Sequence, residues 1–356
     1  MLILMAFFRL RAWMGALFSV NIHVCYLGIF LAALASSSPA SLSDYVALII
    51  LLTAYQAFGF LSNDFFDWPY DMMAGKRGPH FEMKRRHILL VLVSLLTLEA
   101  LMIFMLGMPM ELSCLLVAST GFTVAYSMPP IRFKGRGFLG FLVDTTIEKP
   151  LPLLMIFSLH NLHTPQAFAL VLLIDTMQFF SVLKQQIDDI ESDLVSKTKT
   201  WAVRLGRPKA EAVYKRIMLP INIASIVLAT AMVALIVPSL LLELAGLSVL
   251  VVVAYILLKL SGNSDSGQFV VASSKFCQAV SALYNSRGLP MLVAYLNLSF
   301  EVFLPLFLGL EATYRMPWLL PALLVFVTSL YLHAGPCLIL AGYGYSVLRS
   351  SFRFRR

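Results

Sequence analysis

The chain has 356 residues, of which 59% are hydrophobic and only 13% charged. A soluble domain carries roughly a quarter charged residues, so this composition excludes an ordinary globular protein and leaves a polytopic membrane protein. The net charge of +8 is divided among loops beside apolar runs, which points to a membrane surface and to phosphate, not to nucleic acid. The four cysteines, Cys25, Cys114, Cys277 and Cys337, are scattered and form no CxxC pair, which argues against a disulfide framework or a cysteine zinc site.

In chain order, residues 1–8 are apolar, then Arg9 and Arg11 precede a longer apolar run. That order suits an uncleaved first span better than a cleaved leader. A transmembrane helix needs about 20 mostly apolar residues. Ten segments qualify: 13–35, 43–62, 88–107, 112–128, 138–158, 166–185, 217–237, 239–260, 289–310 and 318–342. The expected fold is all-α, a polytopic transmembrane helix bundle forming one integral membrane domain over residues 1–356.

The charges orient the bundle. With ten spans and an inside N-terminus, the inside segments hold Arg9 and Arg11; Lys76, Arg77, Lys84, Arg85 and Arg86; Arg132, Lys134 and Arg136; seven bases between Lys197 and Arg216; Lys275 and Arg287; and Arg349 to Arg356. The outside loops hold Arg315 alone. Such an asymmetry places both termini and the long polar loops 63–87, 186–216 and 261–288 on the cytosolic face. Long loops are where function tends to sit, so the chemistry is expected there.

The first of these loops opens with Asn63, Asp64, Phe65, Phe66, Asp67, Trp68, Pro69, Tyr70 and Asp71. Acids so close to a bilayer are costly unless something binds them. Residues four apart share a helix face, so Asn63, Asp67 and Asp71 form a stripe with Asp64 beside it. Pro69 predicts an unwound helix end. The second cluster echoes the first: Gln186, Asp188, Asp189, Glu191 and Asp193 follow the sixth span, with Asp189 and Asp193 again four apart. Magnesium takes oxygen ligands, usually one or two carboxylates with phosphate and water. Two facing carboxylate pairs can hold metal bridged by a diphosphate. The bland alternative is solvated acids paired with the nearby bases.

A third element, 126–137, ends a span with Tyr126 and Ser127, stops the helix at Pro129 and Pro130, and then alternates Arg132, Lys134 and Arg136 with apolar residues and glycine. Arg132 and Lys134 share a side if this stretch is extended. Both residue types suit phosphate oxygens, although a headgroup anchor uses the same residues.

Together these motifs resemble the UbiA-type superfamily of intramembrane prenyltransferases. Asn63, Asp64, Asp67 and Asp71 fit its NDxxDxxxD motif, Asp189 and Asp193 its DxxxD motif, and 126–136 its YSxPPxRxK-like loop; 200–206 (TWAVRLG) resembles the segment that follows the second motif. The resemblance covers about 10–310. It implies a helical bundle around a central cavity open to lipid, nine family-like spans plus a tenth at 318–342, and Mg²⁺-dependent ionisation of a prenyl diphosphate. By this resemblance Asn63, Asp64, Asp67, Asp71, Asp189 and Asp193 hold metal, with Asp67, Asp71, Asp189 and Asp193 catalytic. Lys76, Arg77, Tyr126, Ser127, Arg132 and Lys134 are diphosphate candidates, with Gln186 and Lys149 as further ones. The implied partners are a prenyl diphosphate, a lipophilic or aromatic acceptor and the bilayer.

The sequence departs from the family in its first loop, which reads Gly75, Lys76, Arg77, Gly78, Pro79, His80, and lacks the frequent glycine after Asp193. The superfamily also includes cyclases that use no acceptor. A non-catalytic transporter or lipid-binding protein is the reading from another class; a transporter places its polar pairs near mid-membrane, away from the rim. Glu99, Glu148, Lys149, Asp175 and Glu301 fall within or near spans, where pairing across the bundle and a functional role are both open.

Overall fold

The computed structural model describes residues 20–36, 41–75, 84–105, 108–261, 292–293, 296–297 and 299–328. Its elements are helical, and among the described residues there is no strand, only an isolated parallel bridge between Gly137 and Thr200. Each of the ten predicted segments carries helix where it is described. Among the described residues, five helices are long and apolar enough to cross a membrane. The span count of ten remains an expectation, since residues 1–19 and 329–356, and most of 262–298, lie outside the described residues.

Helix α1 (Val20–Ala35) leads to α2 (Leu42–Met73). Ser41 caps α2: its Oγ accepts from the Asp44 amide at 3.3 Å and its own amide donates to Asp44 Oδ2 at 2.9 Å. This reciprocal pair satisfies two helix-end donors and fixes where the helix starts. α3 (Arg85–Met105) and α4 (Met110–Ser127) pack against α2. The fifth predicted span is broken in two, α5 (Phe138–Glu148) and α6 (Pro150–Leu159), at Lys149. α7 (Pro165–Asp188) starts with Thr164 as its cap and proline at its first position, a favoured helix opening.

The chain then makes three short helices, α8 (Ile190–Val195), α9 (Trp201–Leu205) and α10 (Arg207–Val213). A π-turn, Tyr214–Met218, feeds α11 (Leu219–Ile236), which packs along α7. α12 (Leu241–Ser261) follows, then α13 (Leu304–Arg315) against α1, and a last short helix, Pro317–Thr328.

The main core joins α1, the first half of α2, α6, α7, α11 and α13 through residues such as Phe30, Leu48, Leu153, Ile174, Val233 and Leu308. A second core under the short helices gathers Phe141, Leu183, Ile187, Ala202 and Met218. The outward faces of α3, α11 and α12 expose Leu90, Val93, Leu101, Phe104, Val227, Leu228, Leu242 and Leu250. In water such faces would aggregate; on long apolar helices they meet lipid. The protein is integral to the membrane.

The second helix corrects one expectation. Pro69 was expected to unwind the chain, yet α2 runs unbroken through it to Met73. The missing Pro69 donor would have bonded the Phe65 carbonyl four residues back. Arg85 replaces it, donating Nη2 to Phe65 O at 3.4 Å, with its guanidinium 4.6 Å from the centre of the Phe65 ring.

Candidate functional site

Because α2 continues, Asn63, Asp67 and Asp71 do lie along one helix, and Asp64 sits within electrostatic reach of Asp71, Asp67 and Lys134. Asp67 is the buried member, 2% exposed. Two cations of the loop after α4 close on it: Arg132 Nη2 at 3.0 Å from Oδ1, and the Lys134 ammonium on Oδ2. The loop turns instead of extending: Arg132 has φ of 39° and Phe133–Gly135 form a 3₁₀ turn, which brings both bases to the same carboxylate. Arg132 also lies 3.5 Å from the Tyr70 ring centre and donates to Thr198 Oγ1 at 3.5 Å, so it ties α2 to the segment after α8.

The second acidic motif is built differently. α7 ends at Asp188, and Asp189 is the capping residue between it and α8. The four-residue relation survives, with the Asp193 amide donating to Asp189 O at 2.8 Å. Asp193 turns inward, 7% exposed, and accepts from Thr200 Oγ1 at 3.0 Å. Lys134 bridges the motifs electrostatically. Burial alone would lower its pKa, but Asp67, helped by Asp193 and Asp144, outweighs this and holds it above the ordinary range. A carboxylate beside an enclosed ammonium favours the charged form.

The loop is anchored by backbone. The Gly137 amide donates to Lys199 O at 3.2 Å, beside the parallel bridge to Thr200. Gly140, in the first turn of α5, packs so tightly under Phe133 that a Cβ there would overlap the Phe133 carbonyl oxygen. Ser127, fully buried, donates Oγ to Asn63 Oδ1 at 2.6 Å and clamps the end of α4 to the first motif.

A family model described as the UbiA prenyltransferase family matches residues 22–279 of this chain. The chain belongs to the UbiA prenyltransferase family. Among solved structures, a UbiA homolog from Archaeoglobus fulgidus bound to DMAPP and Mg²⁺ is similar with a TM-score of 0.51 at 14% identity, over 82% of this chain and 98% of that one. The same homolog bound to GPP and Mg²⁺ gives 0.51 at 15%, over 81% and 99%. At such identity the likeness is one of fold. No protein of curated function matches the chain by sequence.

Other candidates fall elsewhere in this family member. Gln186 is buried, and its Oε1 accepts from the Ala202 amide at 3.4 Å, supporting the start of α9. Lys149 is 5% exposed and pairs with Glu301 at 2.7 Å, so its ammonium is committed inside the bundle. Tyr126 is buried and hydrogen-bonded to Asp144 of α5. Lys76 and Arg77 lie outside the described residues, as do loop 262–287 and both termini. Tyr70, Thr198 and Thr200 also join the site, although the sequence assigned none of them a role. Tyr70 was signalled by its place three residues after Asp67 on the same helix; the two threonines carried no spacing signal, because their partners are set by the turn after α8.

Proposed function

We propose that this chain is a magnesium-dependent membrane prenyltransferase that moves an isoprenyl group from its diphosphate to a lipophilic or aromatic acceptor. The observation that carries this reading is the convergence of Arg132 and Lys134 on Asp67, between the two acidic motifs. Family membership supports it, and the two A. fulgidus structures are bound to prenyl diphosphates with Mg²⁺. The cytosolic rim, the cytosolic termini and the ten spans are parts of the same proposal, supported by the asymmetry of loop charge.

The donor set suits magnesium: Asn63, Asp64, Asp67, Asp71, Asp189 and Asp193 offer only oxygen. Among the described residues no three acid, His or Cys side chains are gathered at metal-holding distance, and Asp67 here holds the two loop cations. These six residues would hold the metal, which when bound neutralises charge on the departing diphosphate. The chain's own part is positioning. Arg132 has a buried Nε–H with no partner among the described residues, a donor suited to a phosphate oxygen. Lys134 brings a second charge to the same point. The Ser127–Asn63 bond holds the first motif against α4 while the apolar bundle beneath accepts the prenyl chain.

The test supplies purified protein with a ladder of prenyl diphosphates and Mg²⁺, with and without a quinone precursor, phenol or lipid acceptor. Prenylated product that requires both Mg²⁺ and an acceptor is expected. Cyclic products formed without acceptor would replace transfer by cyclisation on the same scaffold. Absence of diphosphate release with every substrate would overturn the enzyme reading.

A further inference from the structure

Below the acidic rim, α5 carries a second stripe of acids. Asp144 and Glu148 are four apart and share a face. Asp144 is bonded to Tyr126 of α4, which lies within electrostatic reach of both Asp67 and Glu148. Glu148 Oε2 accepts from Gln178 Nε2 of α7. Thr145, between the two acids, donates its Oγ1 to Leu142 O at 3.0 Å and faces Asp175, also of α7.

The helix break fixes this belt in place. Pro152 has no amide hydrogen to give to Glu148 O, and Gln56 of α2 donates Nε2 there instead, at 2.9 Å. Tyr55 OH donates to Ile147 O at 2.8 Å. The backbone that carries Glu148 is thus stapled to α2, the helix that bears Asp67.

Among the described residues, two atoms of the belt are buried acceptors with no donor: Gln178 Oε1, on a residue 4% exposed, and Asp175 Oδ1. They lie three residues apart on one face of α7. The Gln178 orientation follows from its bond to a carboxylate, which requires the amide nitrogen on that side and leaves the oxygen pointing away. The neighbouring cation is not available to serve them, since Lys149 is bonded to Glu301. Buried acceptors are normally paired, so this belt lacks a partner that donates hydrogen bonds. A hydroxyl group supplies that.

We propose that this belt seats an acceptor bearing a hydroxyl, an alcohol or a phenol, and that Glu148 is the catalytic residue that takes its proton, with Gln178 as its positioning residue. The inference rests on the prenyl-transfer reading above. In the step, the acceptor O–H bond breaks and its proton goes to the Glu148 carboxylate. The acceptor oxygen forms a bond to C1 of the prenyl group, and the C1–O bond to diphosphate breaks, its electron pair leaving with the diphosphate.

The test measures prenylated product and released diphosphate together, for wild type, Glu148→Gln, Glu148→Asp and Gln178→Leu, with alcohol and phenol acceptors. Glu148→Gln should lower product formed per diphosphate released by about 100-fold, the usual scale of general-base loss. Glu148→Asp should restore part of this loss. Gln178→Leu should raise the acceptor KM about 10-fold, with a smaller change in kcat, and keeps the proposal testable if Glu148→Gln does not fold. A wild-type product ratio in Glu148→Gln, or an unchanged acceptor KM in Gln178→Leu, would overturn this proposal alone. A wild-type enzyme that releases no diphosphate at all would overturn the transferase reading, and this one with it.

Discussion

The two acidic motifs look alike as sequence and are built in opposite ways. Asn63 to Asp71 ride one continuous helix, and their buried carboxylate is held by bases reaching in from another loop. Asp189 and Asp193 straddle a helix end, and the buried Asp193 is held locally, by Thr200 seven residues on. The first half of the site is therefore rigid in backbone and set by long-range charge. The second is set by a turn and a hydroxyl. Equal spacing does not mean equal support.

That contrast can be broken at its strongest point first. Asp67→Asn should reduce Mg²⁺-dependent diphosphate release by about 10³-fold, because it removes both a proposed metal ligand and the anchor of two cations. The assay is diphosphate release, with EDTA as the reference for complete loss. If Asp67→Asn stays folded and keeps full release, the metal assignment is wrong. Arg132→Lys should cost about 100-fold and not behave as a mild change. A lysine cannot reproduce a flat guanidinium on Tyr70 with simultaneous bonds to Asp67 and Thr198.

Gly140→Ala tests the loop without altering any charge. Overlap with the Phe133 carbonyl should shift Lys134 from its place and lower turnover about 10-fold or more, while the helical signal in circular dichroism is kept. Thr200→Val probes the local half. Losing one donor to a buried carboxylate should cost about 1–3 kcal/mol, read as a lower melting temperature in detergent. If Asp67→Asn and Thr200→Val proved equal in their effect on turnover, the asymmetry of the two halves would be lost.

The smallest effect lies at the opposite end of the bundle. Burial lowers His160 to about 4, with Asp44 opposing, and its ring sits 5.0 Å from that of Tyr45. A histidine kept neutral in the fold but free to protonate at its usual 6.5 when unfolded makes stability fall as pH drops from 6.5 toward 4, and leaves it flat above. Melting temperatures across that range should show this decline, and His160→Asn should flatten it without changing diphosphate release at neutral pH.

Much of this was legible in the residues. Apolar runs marked the helices, and the four-residue spacing of the acids marked their shared faces, since both follow from helical geometry. The bases of 132–136 marked a cationic loop through their chemistry, and two of them do meet the first acidic motif. What spacing could not reveal was pairing across long sequence distance. Arg85 compensating Pro69, Lys149 committed to Glu301, and Gln56 and Gln178 on either side of Glu148 join positions 20 to 152 residues apart. The error at Pro69 has the same origin: the local rule was sound, and a distant side chain supplied the missing donor.

The unbroken second helix has a further consequence. Its 32 residues make a rod about 48 Å long, against a hydrocarbon core of about 30 Å. Started near one membrane surface, such a rod delivers Asp67 several ångströms past the other, where water and ions are present. One helix therefore touches two solvents. It can sort the two ends of an amphiphile by depth, with ionic chemistry above the lipid boundary and hydrocarbon chemistry below it.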